Sequence, residues 1–502
     1  MANRQSRRLS RRQSVVPPAD ALRLRSEGEL DSPGLNDDPP SELPEYDGIR
    51  RGHGGRPPPS QTVHSYTLNA SRTDRPWLTL RVLSWVQNAS SVPVFVESEA
   101  IAGHVDLDLE KPDSIKSIIV TVKGLIRIGP DTKPFYQISN TLWEKTMGDP
   151  RNTSTSQDKY RYKLEGKYSW PFSITLPGSI AFNDKQAKEL QLSSEERLPP
   201  SLRGSGGHSF IDYQIVVDVK RSGPFRPGSS LSTPFGYLPR TKPPRPSALR
   251  RQAYRQETPP PGPRIDKDGW HILYDVSFRG NLFKSREVVI ICSLSLATPL
   301  VYTRGTVIPL YLAMKSLDEQ ALDLLSNLQV PRVQMRRKLK GPAPLARDGS
   351  SRTLPGIENN VEASRVSWAI SPDSMSTNDV GSDGLFRRTM IGEITLPSNL
   401  TPSFTFGEFD LRVSGLIIFA VGSADCMRNQ YFVDMYPFSA PGFEPSDEHR
   451  LSRTEVTVTS AFPDGPRPRA YIPPSYSQEP RRVSDDDVGM LYNALNDTLR
   501  PQ

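Results

Sequence analysis

Ile211-Asp212-Tyr213-Gln214-Ile215-Val216-Val217-Asp218-Val219 decides the fold class. Ile211, Tyr213, Ile215, Val217 and Val219 alternate with Asp212, Gln214 and Asp218. A period of two puts every second side chain on one face of a strand, whereas a helix would scatter the same residues around its axis. Upstream, Val105, Leu107 and Leu109 alternate with Asp106, Asp108 and Glu110, and apolar runs occupy 118–122, 125–128 and 172–176. Gly129-Pro130, Pro177-Gly178 and Gly223-Pro224 punctuate them as turns. Strands in such close succession have no room for helical crossovers, so they predict an antiparallel sandwich rather than a parallel sheet. Residues 184–192 form the one helical candidate in this half.

A second set of strand patterns covers 270–278, 287–296, 307–316, 328–337, 387–396 and 409–421. Between the two sets, Pro239, Pro243, Pro244, Pro246, Pro259, Pro260, Pro261 and Pro263 remove backbone donors that a sheet would need. The predicted organisation is all-β, with two tandem immunoglobulin-like antiparallel β-sandwich domains at 77–240 and 269–442. A Pro/Arg-rich linker fills 241–268, and a low-complexity insertion at 341–383 is expected to be disordered. Tails at 1–76 and 443–502 are also expected to be disordered, because they have too few large apolar residues to offset an ordering entropy of about 1–2 kcal/mol per residue.

Composition agrees with arms around a core. The 502 residues are 35% hydrophobic, below the usual range of about 45–50%, and include 49 prolines. No apolar run approaches the roughly 18 residues of a membrane-spanning helix. The first residues lack the apolar stretch of a secretory signal, and Cys292 and Cys426 are too few for a disulfide framework, so a cytoplasmic chain with reduced thiols is expected.

Catalytic signatures are missing from the sequence: it holds no Walker loop, HExxH, CxxC pair, GxSxG elbow or kinase motif. His53, His64, His104, His208, His271 and His449 are scattered, with no two at metal-ligand spacing. No enzyme activity, metal or cofactor is expected.

Short motifs instead suggest binding. Pro473-Pro474-Ser475-Tyr476 has the PPxY form. Its prolines pre-set a polyproline II backbone for the aromatic groove of a WW domain, and Tyr476 fills a neighbouring pocket. Leu43-Pro44-Glu45-Tyr46 is a weaker version, with Leu43 in place of the first proline. Two such sites on one chain gain about 10²–10⁴ in avidity for a ligand with several WW modules. Ser10, Ser14 and Ser484 each follow an Arg-Arg pair, an arrangement that suits kinases reading basic segments. Arg4, Arg7, Arg8, Arg11 and Arg12 form a basic arm that could contact an anionic membrane surface, as could Arg332, Arg336, Arg337, Lys338 and Lys340. With a net charge of +7 and no aromatics among the basic runs, nucleic acid is disfavoured.

Glu97-Ser98-Glu99-Ala100-Ile101-Ala102-Gly103-His104-Val105-Asp106-Leu107, Tyr168-Ser169-Trp170-Pro171-Phe172-Ser173-Ile174-Thr175-Leu176-Pro177, Leu198-Pro199-Pro200-Ser201 and Ile211-Asp212-Tyr213-Gln214-Ile215 resemble the arrestin N-domain pattern. Tyr302-Thr303-Arg304-Gly305-Thr306-Val307-Ile308-Pro309-Leu310 is similar to the C-domain's segment before its IPL strand. The insertion at 341–383 departs from that pattern. With a PPxY motif outside the domains, the chain resembles the α-arrestins. This implies an adaptor that brings a WW-domain HECT ubiquitin ligase to transporters or receptors at the plasma membrane and endosomes for ubiquitination and endocytic sorting. Pro473, Pro474 and Tyr476 would dock the ligase, with Leu43, Pro44 and Tyr46 auxiliary, and ubiquitin could be attached to a lysine of the adaptor itself. The alternative is an arrestin-fold trafficking or pH-signalling scaffold, retromer-like or linked to endosomal sorting, that works without a ligase.

Overall fold

A computed structural model describes residues 61–472, apart from 71–73, 87, 129–130, 152–158, 182–194, 204–208, 224–226, 341–358, 372–382 and 410–424. The first sandwich contains β1 (Thr62–Asn69), β2 (Pro76–Ser84), β3 (Val94–Val96), β4 (Ala100–Asp113), β5 (Ile115–Ile128), β6 (Asp131–Glu144), β7 (Leu164–Thr175), β8 (Ser179–Ala181), β9 (Glu195–Arg197), β10 (Leu202–Arg203), β11 (Ser209–Arg221) and β12 (Ser229–Leu238). One sheet has the order β1-β2-β4-β7, and the facing sheet β3-β12-β11-β5-β6, with β10 on β11. The deciding stretch is the centre of the second sheet, where β11 lies antiparallel between β5 and β12. Ile211, Tyr213, Ile215, Val217 and Val219 are all fully buried, as their alternation predicts. They face Leu78, Leu80, Val105 and Leu107 of the other sheet within one core. Gly103 is required on β4, since a Cβ there would come within 2.0 Å of the Arg81 carbonyl on β2.

The second sandwich contains β13 (Trp270–Ile272), β14 (Val276–Leu282), β15 (Arg286–Ala297), β16 (Val301–Thr303), β17 (Val307–Ser316), β18 (Val333–Lys340), β19 (Asn359–Ile370), β20 (Phe386–Thr395), β21 (Phe404–Phe409), β22 (Asp425–Met435), β23 (Phe443–Pro445) and β24 (Ser452–Thr459). A single curled sheet runs β16-β24-β22-β18-β19-β20-β17-β15-β14-β23, and its halves close over one core. β19 turns the corner: Arg365 pairs with Gln334 of β18, and from Val366 onward the strand pairs with β20. Gly305, at φ +76°, makes the turn from β16 into β17 in a left-handed conformation that disfavours side chains.

Several expected boundaries shift. β1 lies inside the stretch expected to be a disordered tail, because Tyr66 and Leu68 pack on the first core although their neighbours are polar. β19 lies inside the expected insertion, with Trp368 buried. The second sandwich continues past 442 through β23 and β24, where Val456 and Val458 are buried. The expected linker holds α1 (Ala248–Gln256), which starts at Ser247, whose hydroxyl accepts the Arg250 N–H at 3.2 Å. A second helix, α2 (Glu319–Leu325), precedes β18. The helix expected at 184–192 and most of the strand expected at 409–421 lie outside the described residues.

Candidate functional site

Pro473, Pro474, Tyr476, Leu43, Pro44, Tyr46, Ser10, Ser14, Ser484, Arg4, Arg7, Arg8, Arg11 and Arg12 all lie outside the described residues. What the structure does place is the body from which the PPxY segment departs and the junction between the two sandwiches.

At the junction, the incoming chain at 239–241 and the outgoing chain at 460–461 are tied together. The Ser460 hydroxyl donates to the Pro239 carbonyl at 2.6 Å and accepts the Thr241 N–H at 2.9 Å. The Ala461 N–H donates to the Thr241 carbonyl at 2.9 Å. Glu97, in the loop between β3 and β4, accepts the Arg240 N–H at 2.7 Å and pairs with Arg197 at 2.5 Å. A second bridge between the sandwiches is apolar: Phe406 and Leu339 enter the first core, and Phe406 meets Phe135 edge to face at 5.0 Å. A cavity of about 560 Å³ opens beside the junction, lined by Glu97, Arg240, Lys242, Arg304, Asp464 and Arg467 among others. Lys242 and Asp464 are paired across it at 2.8 Å. The buried Arg304 guanidinium is pushed down to about 10 by desolvation and donates to the Leu400 carbonyl at 3.1 Å.

From the junction, residues 461–472 run as a strap over the linker helix to the second sandwich. Arg467 lies over the Phe462 ring at 4.8 Å, and Arg469 pairs with Glu257 at the end of α1 at 2.9 Å. Beneath the strap, the guanidinium of Arg250 donates to the carbonyls of Thr298, at 2.7 Å, and of Gly269, and it sits 5.1 Å from the centre of the Trp270 ring. The strap ends on Glu393 of β20. The Glu393 carboxylate, 5% exposed, accepts the Tyr471 N–H at 3.0 and 3.1 Å and the Ile472 N–H at 3.1 Å. Burial raises this carboxyl above its ordinary range, and the two N–H groups act in the opposite direction. Ile472 is buried, and the next residue is the first proline of the PPxY motif.

The stretches 198–201 and 211–215 meet inside the first sandwich. The Tyr213 hydroxyl donates to the Pro199 carbonyl at 2.7 Å, and Ser201 exchanges main-chain and side-chain hydrogen bonds with Tyr237. Of the second basic cluster, Arg337 donates to Asn429 at 2.7 Å, and Arg332 and Arg336 lie over Tyr436 at 5.8 and 5.6 Å, so its own sheet engages these three charges. Among the described residues, no three His, Cys, Asp or Glu side chains gather as a metal site, and no helix is long and apolar enough to cross a membrane.

Glu393, Tyr471, Ile472 and Ser460 did not stand out in the sequence. Each acts through a contact 78 to 221 positions away, and no local spacing marks such a contact. The chain is therefore a pair of antiparallel β-sandwiches, tied at 239–241 and 460–461, whose strap leads straight into a PPxY sequence. Its sequence matches no family model and no curated protein.

Proposed function

We propose that the chain is a non-enzymatic adaptor of the α-arrestin type, which uses Pro473-Pro474-Ser475-Tyr476 to dock a WW-domain HECT ubiquitin ligase and its sandwiches to hold membrane cargo. The observation that carries this reading is the position of the motif, immediately beyond a strap anchored to the body. A ligase docked there stays beside whatever the sandwiches hold, and tethering of this kind raises local concentration to about the millimolar range. Leu43-Pro44-Glu45-Tyr46 serves as the auxiliary site, Ser10, Ser14 and Ser484 as phosphorylation sites, and Arg4, Arg7, Arg8, Arg11 and Arg12 as contacts to anionic lipid at plasma membrane and endosomes. Ubiquitin is transferred by the ligase, with no cofactor on this chain.

The test is titration of a WW-domain array from a HECT ligase against the full chain and its Tyr476→Ala, Tyr46→Ala and doubly substituted forms. The expected result is micromolar binding that weakens in each single variant and vanishes in the double. Binding indifferent to both tyrosines would leave a trafficking or pH-signalling scaffold that works without a ligase.

A further inference from the structure

The cavity of about 560 Å³ beside the junction has the size of a small-molecule site, and charge is unevenly spread around it. Among the described residues, Arg240, Lys242, Arg304 and Arg467 line it, while Arg197 and Arg245 act on its acids from just outside. Against these six cations stand three lining carboxylates, Glu97, Glu99 and Asp464. Each carboxylate is already engaged within the junction. Glu97 pairs with Arg197 and accepts the Arg240 N–H, and Glu99 accepts the Val96 N–H at 3.0 Å. Lys242, ahead of Arg245 and Arg240, holds Asp464 below the ordinary carboxylate range. The surplus is positive, and part of it is deep: Arg304 is 3% exposed, where charges attract more strongly than in water. Desolvation pushes its guanidinium down to about 10, a shift that an anion in the cavity would oppose. Gly465 also lines the cavity, and a Cβ built on it meets nothing within 4 Å, so this wall leaves room.

We infer that this cavity binds a small multivalent anion of the phosphate type, free or esterified to a small molecule, through Arg240, Arg304 and Arg467. Planar guanidinium groups match the oxygens of such an anion better than they match a monovalent one. The walls come from four parts of the chain: Glu97 from the first sandwich, Arg240 from the linker, Arg304 from the second sandwich and Arg467 from the strap. A bound anion therefore ties these parts together, and it stabilises the arrangement in which they meet. The site is independent of the WW reading of the PPxY sequence.

The experiment is calorimetric titration of the full chain with inorganic phosphate, pyrophosphate and ATP at constant ionic strength. Saturable binding of at least one probe is expected, about tenfold weaker in Arg240→Gln and in Arg467→Gln. Lys284→Gln, in the turn between β14 and β15, should leave it unchanged. Tighter binding of pyrophosphate than of ATP assigns the site to a free anion, and the reverse assigns it to an ester. Hydrogen exchange on the unaltered chain is the second measurement and needs no variant. The bound probe should slow exchange of the Thr241 and Ala461 amides, which close the junction. Failure of all three probes to bind overturns the inference. Binding that both arginine variants leave intact, or that does not slow the two junction amides, overturns it as well.

Discussion

Ser460 donates its hydroxyl to the main-chain carbonyl of Pro239 at 2.6 Å, joining positions 221 residues apart. The same oxygen accepts the Thr241 N–H, so one 3%-exposed side chain serves a donor and an acceptor of the linker. Ser460→Ala leaves both groups without that partner, at a cost of about 1–3 kcal/mol. Chemical denaturation should show a lower midpoint with an unchanged slope, which separates lost stability from a change in compactness.

Tyr213→Phe tests the tie to Pro199 inside the first core. The phenol is fully buried, and desolvation holds it protonated well above its ordinary range. Deleting the hydroxyl leaves the Pro199 carbonyl without this donor and should destabilise the chain by about 1–2 kcal/mol, read from the thermal midpoint.

Asp434 is a fully buried carboxylate held by Arg453 at 2.8 and 2.7 Å, with Arg450 farther off at 3.8 Å. Arg453→Ala strands that charge and should cost about 3 kcal/mol, whereas replacing both partners with apolar residues should cost less. A double-mutant cycle on Asp434 and Arg453, measured by urea denaturation, reads the difference.

Cys292 is fully buried, and burial pushes its thiol far above the ordinary value. Only thiolate reacts with common thiol reagents. In a Cys426→Ser background, labelling should be negligible in the folded chain and complete in denaturant, so its rate reports unfolding.

The Glu393 carboxyl is raised by burial. The folded chain therefore binds this proton more tightly than the unfolded chain does. The stability contributed by the protonated group is fully present below the ordinary glutamate value of about 4.3 and is lost as pH rises through the raised one. Unfolding midpoints of the wild type and Glu393→Gln, followed from pH 4 to 7, should converge at the acid end and separate above it.

The strands legible in the sequence were those with one face wholly apolar. β4 alternates cleanly because water lies on one side and the core on the other, and β11 does so apart from Val216, which is buried on the outward face. β17, which matches the predicted 307–316, reads as an almost unbroken apolar run because both of its faces are covered over most of its length. β1 and β19 were missed because few of their side chains are large and apolar: in β1 the buried positions include His64 and Thr67, which read as polar. α1 was hidden among prolines, although Ser247 caps it and its body is free of them. The contact of Glu393 with Tyr471 and Ile472 was illegible for a different reason. Nothing in the composition around Glu393 or Ile472 encodes a partner 79 positions distant, and only the folded sheet brings them together.

The tie between 241 and 461 has a topological meaning of its own. The chain enters and leaves the second sandwich side by side, with Ala461 donating to the carbonyl of Thr241. The two ends of the sandwich are adjacent, as those of a cassette are. A circular permutant joined across that point keeps every strand neighbour within the sandwich, whereas a segment covering 241–461 moved to another host would uncover Phe406 and Leu339, which here sit in the first core.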